Sequence, residues 1–289
     1  MRDLFFLFST TLMYATPLIF TALGGVLSEK TGVINIGLEG MMTMGAFTAS
    51  LVAIKTSNPW LGLLAGGLGG LSLALLHAIA SIKYKGNQVV SGMAINFLGS
   101  GFAIFFCRLF FEGTSMTPPL DLEKKIPEYG GQYATVYLAL ALSLLIWFVL
   151  TKTVLGLRMV SVGEHPKSAD AAGLNVSLYR TIGVLASGFL AGLGGASLSI
   201  AIVSNFRPTL ISGQGFIAIA ALIFGKWRPI QTALACLFFG LSQALVIFLG
   251  GRETIHISSQ LLSILPYILT LIILVGFMGK TTGPSALGE

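Results

Sequence analysis

The feature that most limits what this chain can become is a succession of apolar runs, each about as long as a bilayer is thick. A helix needs roughly 20 mostly apolar residues to cross the hydrocarbon core. Such runs occur at residues 4–27, 38–54, 60–82, 89–111, 133–150, 181–203, 230–249 and 261–277. A shorter run at 216–225 cannot cross upright; it is either half of a broken helix or is extended by 212–215. Counting it as a crossing gives nine. Charged residues are 10% of the chain, against about 25% in soluble domains, too few to cover the surface of a soluble fold. The expected architecture is an all-α polytopic membrane protein, one transmembrane domain over residues 1–289. The 36 glycines suit helices that pack backbone to backbone.

The N-terminal run is longer than the apolar core of a signal peptide and lacks an A-x-A site near its end, so it is expected to stay as the first span. The net charge of +6 does not point to nucleic acid, because the Lys and Arg residues fall in short loops between spans. Their distribution places the loop 151–180 in the cytosol, with the N-terminus outside and the C-terminus inside. Cys107 and Cys236 both lie in apolar runs, and their spacing suggests neither a disulfide nor a metal site. The stretches 61–79 and 230–248 share a Leu-Ala, Gly-Leu-Ser, Ala-Leu pattern and run in opposite directions, the mark of an inverted repeat.

Motifs for chemistry are few. GKTT at 279–282 resembles a phosphate loop, but Leu274 stands where that motif needs Gly and no strand precedes it. His77, His165 and His256 stand apart from one another. Glu39, at the start of a helix where the dipole suits a carboxylate, is the acid nearest a span. A chain without an intramembrane carboxylate relay has no visible energy source of its own. A secondary transporter predicts such a relay, and a membrane enzyme predicts clustered catalytic side chains.

One polar interruption stands out: VGEHPKSADAAGLNV at 162–176. Pro166 suits the first turn of a helix and Gly173 a left-handed stop. Residues 166–172 make about 10 Å of helix, too little to be stable unaided. Ala169, Ala172 and Leu174 are expected to form a small apolar ridge, flanked by Lys167 and Asp170. Such a helix must pack on the chain's own loops or in a groove on a partner.

Gly163, Glu164, Pro166, Ala171, Ala172, Gly173, Leu174 and Val176, with the small-residue stretch RTIGVLASGFLAGLGGASLSI that follows, resemble the coupling-helix region of bacterial ABC importer permeases. The family is that of branched-chain amino acid, ribose and nucleoside permeases. SEKTGVINIGLEGMMTMGAF at 28–47 and ALIFGKWRP at 221–229 look like its nucleoside branch. Sugar permeases carry a Gly-Gly-x-Asp-Leu-Ser-Val-Gly version of the first signature, and amino acid permeases an Asn-x-x-His-Gly version. The resemblance covers essentially the whole chain. It implies an importer subunit in a bacterial cytoplasmic membrane that carries nucleosides, with a second, unlike permease beside it. Separate ATPase subunits would hold ATP and Mg, and a lipid-anchored binding protein outside would deliver substrate. This chain itself would be non-catalytic, with no cofactor and no metal. By the same resemblance, Glu164, Pro166, Lys167, Asp170, Ala171, Ala172, Gly173 and Leu174 couple to the ATPase. An uncharged nucleoside asks for amides and hydroxyls along its path. The candidates are Asn35, Glu39, Gln88, Ser91, Asn96, Gln214 and Gln243, although Asn and Gln in such places also cap broken helices. A sugar or branched-chain amino acid permease is the rival within the family.

Overall fold

The computed structural model describes residues 2–250, 268 and 283–289. The run expected at 261–277 and the GKTT stretch, with His256 and Lys280, lie outside the described residues, Ile268 excepted. Backbone in hydrocarbon has no water to bond, and a helix satisfies its own amides. The chain accordingly forms α1 (Arg2–Lys30), α2 (Leu38–Thr56), α3 (Pro59–Ala78), α4 (Gln88–Phe110) and α5 (Ala134–Lys152). There follow α6 (Val154–Glu164), α7 (Pro166–Ala171), α8 (Val176–Ser197), α9 (Gln214–Phe224) and α10 (Pro229–Gly250). Wider turns extend α3 through Ile79–Lys83 and α8 through Leu198–Ile202. A short hairpin of β1 (Glu128–Tyr129) and β2 (Gln132–Tyr133) precedes α5.

Six of these helices are long and apolar enough to cross a membrane: α1, α3, α4, α5, α8 and α10. Asparagines mark several starts. Asn58 accepts from the amides of Trp60 and Leu61, Asn87 from Val90, and Asn175 from Leu178, each satisfying first-turn donors that a helix leaves open. Outward faces carry large apolar side chains, among them Phe97, Phe105, Leu144 and Phe148. In water such a girdle would be a sticky patch; in a bilayer it is the lipid face.

One departure from the sequence reading, and one choice that reading leaves open, have local causes. The loop 151–180 carries α6 as well as the expected short helix, because Thr153 accepts from the amide of Gly156 and caps it. The run at 216–225 forms a separate helix of 11 residues, extended back over only the last two residues of 212–215. Ser212 (φ 44°) and Gly213 (φ 90°) are left-handed, so the helix begins at Gln214.

The centre of the bundle is α1 against α8. Residues 15–29 of α1 are buried, as is most of α8. Helix α8 reaches that position because it is lined with small residues, letting α1, α2 and α3 approach its backbone. Gly192 is one tight point: a Cβ there would strike the Gly66 carbonyl of α3, and a Cβ on Gly45 of α2 would strike the Gly192 backbone. We therefore expect Gly192→Val to lower unfolding free energy by about 1–3 kcal/mol, the usual cost of overpacking. Gly101→Val, where a Cβ meets nothing within 4 Å, should be near neutral. Thermal unfolding of the purified protein in detergent compares the two.

Candidate functional site

The segment 162–176 is built from caps. Pro166 opens α7, where its missing N–H costs nothing. At the other end Gly173 (φ 83°) takes the left-handed stop. Its amide donates to Asp170 O at 2.8 Å, and the next amide, Leu174, donates to Ala169 O at 3.0 Å. This pair of bonds is a Schellman cap. The expected ridge is split by the fold. Ala169 is buried and Leu174 half-buried against the bundle, whereas Ala172 is exposed together with Lys167, Asp170 and Ala171. The reason is the cap itself, since the 6→1 bond turns Leu174 back over Ala169.

Behind α7 lies a clamp that the sequence did not suggest. The segment 283–289 crosses the end of the bundle where α1 finishes and α8 begins. Ser285 donates its amide and its hydroxyl to Glu164 Oε2 at 3.1 and 2.9 Å. The Ala286 amide donates to Gly163 O and the Gly288 amide to Gly32 O. Gln88 Nε2 and Arg180 Nη1 both donate to Glu289 O, at 3.2 and 2.9 Å. The base of α7 is thereby tied to the irregular segment 31–37, to the start of α4 and to the start of α8.

Segment 31–37 leads into a polar junction within the bundle. Gln88 Oε1 accepts from the Ile34 amide at 2.7 Å. His77 bonds both Ser91 Oγ at 2.9 Å and Ile34 O at 3.0 Å, so this histidine and Ser91 hold backbone. Asn35 Oδ1 accepts from the Gly37 amide, and its Nδ2 donates to Ser187 Oγ of α8 at 2.9 Å. Asn96 of α4 accepts from the Gly40 amide at 2.8 Å and donates to Ile36 O at 3.0 Å. The first turn of α2 is therefore capped from outside itself.

Glu39 does the same for the other half-helix. Its Oε1 accepts from the Gly213 amide at 2.6 Å and its Oε2 from the Gly215 amide at 2.7 Å. A carboxylate was expected at the start of α2, but the donors it binds belong to α9. The 11 residues of α9 span about 16 Å, roughly half a hydrocarbon core. Asn96 lies eight residues along α4 from Gln88, about 12 Å. Both measures set this junction well inside the bundle.

Two of the path candidates are different. Gln214 and Gln243 line one cavity of about 260 Å³ between α1, α9 and α10, with Tyr14 and Phe239. Among the described residues neither amide has a hydrogen-bond partner. The structure thus sorts the candidates: Asn35, Glu39, Gln88, Ser91 and Asn96 meet around segment 31–40, and Gln214 and Gln243 face open space.

The family described as branched-chain amino acid transport system, permease component, matches residues 7–274 of this chain. The chain belongs to that permease family. It is 45% identical to the guanosine ABC transporter permease NupQ of Bacillus subtilis, over 96% of this chain and 93% of that protein. It is 41% identical to the nucleoside ABC transporter permease NupC of Lactococcus lactis, with the same shares covered. A more distant match in L. lactis, nucleoside ABC transporter permease NupB, is 24% identical over 81% of this chain and 70% of that protein. In fold the permease resembles a solved ABC transporter in an inward-facing conformation, with a TM-score of 0.52 at 17% identity over 93% of this chain and 85% of that one.

Tyr14 and the 283–289 segment are the parts of this permease that sequence reading missed. Tyr14 sits in a run of apolar residues that reads as lipid contact, and no local signal marks it. Ser285, Ala286 and Gly288 have partners more than 100 residues away. The sorting of polar residues also has a stability signature. Removing Asn96 leaves two inner backbone groups unpaired, at about 1–3 kcal/mol each, so Asn96→Ala should unfold markedly earlier on heating. Gln243→Ala removes no bond and should stay within about 0.5 kcal/mol of the wild type. Unfolding of the detergent-solubilised permease distinguishes them.

Proposed function

We propose that this permease is one half of an ATP-driven importer for nucleosides in a bacterial cytoplasmic membrane. The observation that carries the reading is its near full-length likeness to two permeases named for guanosine and for nucleosides. Helix α7 supports it: a capped helix of six residues presents Ala171 and Ala172 outward, a small rigid surface suited to a groove on an ATPase.

In this reading the chain makes nine crossings, with α2, α9 and the run at 261–277 added to the six long helices. The N-terminus lies outside, and α7 and segment 283–289 lie in the cytosol. The halves form an inverted repeat, α1–α2–α3 matching α8–α9–α10. Irregular stretches follow both α1 and α8, and both α2 and α9 carry a polar residue before glycine in the first turn, Glu39-Gly40 and Gln214-Gly215. Both α3 and α10 start at a proline. A second, unlike permease completes the path; the two L. lactis nucleoside permeases, so unequal in likeness to this chain, support that pairing. ATPase subunits hold ATP and Mg, and a binding lipoprotein outside hands over the nucleoside. This chain carries no cofactor and catalyses no reaction. Its coupling contacts are Glu164, Pro166, Lys167, Asp170, Ala171, Ala172, Gly173 and Leu174.

The test is ATP-dependent uptake of labelled guanosine, uridine, ribose and leucine by the complete complex in liposomes. We expect nucleoside uptake, and its loss in Ala172→Arg with the complex still assembled. Uptake of ribose or leucine in place of nucleosides would overturn the substrate class. Nucleoside uptake by this chain alone on an ion gradient would overturn the importer.

A further inference from the structure

The cavity between α1, α9 and α10 has a chemistry of its own. Among the described residues, none of its ten lining side chains is charged. Its polar groups are the amides of Gln214 and Gln243, the Tyr14 phenol and the Ser212 hydroxyl, which is already bound to Thr209 O at 2.6 Å. The remainder is aliphatic, apart from the ring of Phe239, which is 3% exposed and packs on Phe224.

A phosphate, a carboxylate or an ammonium group would find no counter-charge among these described residues, and would pay a large desolvation cost. A neutral ligand with a flat polar edge would not. A glutamine amide presents one donor face and one acceptor face in a plane, the pattern that pairs with the edge of a nucleobase. An aromatic ring beside it offers a surface on which any base can stack. The volume of about 260 Å³ falls short of the about 300–1,000 Å³ typical of pockets that engulf a ligand. It suits the base, with the sugar left toward the opening, and partial enclosure suits a station that must release what it holds.

The placement of Gln214 is itself engineered by the fold. It is the first residue of α9, and the amides on either side of it, Gly213 and Gly215, both donate to Glu39. Its own amide donates to Ile211 O at 3.1 Å. Three bonds therefore fix the backbone from which this side chain projects, while the side chain itself has no partner among the described residues.

We infer that this cavity is a nucleobase station on the permeation path, in which the side-chain amides of Gln214 and Gln243 bind the polar edge of the base and Tyr14 lies against its face. Glu39 is a positioning residue that sets Gln214. The inference rests on the nucleoside reading above and adds the site.

The complete complex in liposomes tests it with guanosine, adenosine and purine riboside, the last lacking the exocyclic groups of the base edge. Gln214→Leu and Gln243→Leu should each lower guanosine and adenosine uptake at limiting substrate by about 3- to 10-fold, the scale of one ligand hydrogen bond. Purine riboside uptake should fall less, so the guanosine-to-purine-riboside ratio drops. Tyr14→Ala should slow all three nucleosides alike. Glu39→Gln, whose single acceptor oxygen cannot take both glycine amides in the same way, should lower the same ratio as Gln214→Leu. A merely structural loss would lower all uptake and leave that ratio unchanged. Wild-type ratios in both glutamine variants would overturn the station, even if the Glu39 variant fails to assemble. Absence of nucleoside uptake by the wild type would instead overturn the underlying nucleoside reading.

Discussion

A backbone that stops being helical inside a membrane must find partners for every amide and carbonyl it frees, because the surrounding hydrocarbon offers none. Among the described residues of this permease that demand falls on segment 31–37 before α2 and on the left-handed turn before α9. Glu39 meets the second from the first turn of α2, where the dipole favours its charge, and spends both oxygens on the amides of Gly213 and Gly215. A Cβ on Gly215 would fall against the Glu39 backbone, so the two half-helices meet start to start. Asn96 and Asn35 then supply what α2 still lacks. The rest of the interior is arranged around this junction, with the small-residue face of α8 bringing Ser187 within reach of Asn35.

From the junction to α7 the contacts are continuous. Glu164 holds Ser285, the same short segment bonds Gly32 and Gln88, and Gln88 bonds Ile34, three residues before the α2 cap at Gly37. On the other side Glu39 fixes the amides flanking Gln214. A displacement of α7 thus has a bonded route of packed and hydrogen-bonded groups toward the half-helices. Contiguity of this kind is where coupling can travel, and mutational coupling is what establishes it.

Much of this was legible in the sequence, for reasons that can be assigned. The six long apolar helices were legible because hydropathy reports burial in lipid directly. Helix α7 was legible because Pro166 and Gly173 are punctuation with a backbone meaning. The polar residues inside spans were visible too, but not their duties. An asparagine that caps a distant helix and a glutamine that faces a cavity look alike in one dimension, and only the fold separates Asn96 from Gln243. Glu39 was read as serving its own helix, since its true partners lie 174 and 176 residues further on. Tyr14 is hidden among apolar neighbours, and Ala172 leaves the apolar ridge because the chain reverses at Gly173 and turns Leu174 back over Ala169.

The most direct test of this account is hydrogen exchange at the Gly213 and Gly215 amides in the assembled transporter, with and without the Glu39 carboxylate. The account predicts slow exchange at both amides in the wild type. In Glu39→Gln it predicts fast exchange confined to residues 212–216, with α3 and α8 still protected. Equal protection of those two amides in both proteins would contradict it, and the half-helices would then have to be held together by something other than Glu39.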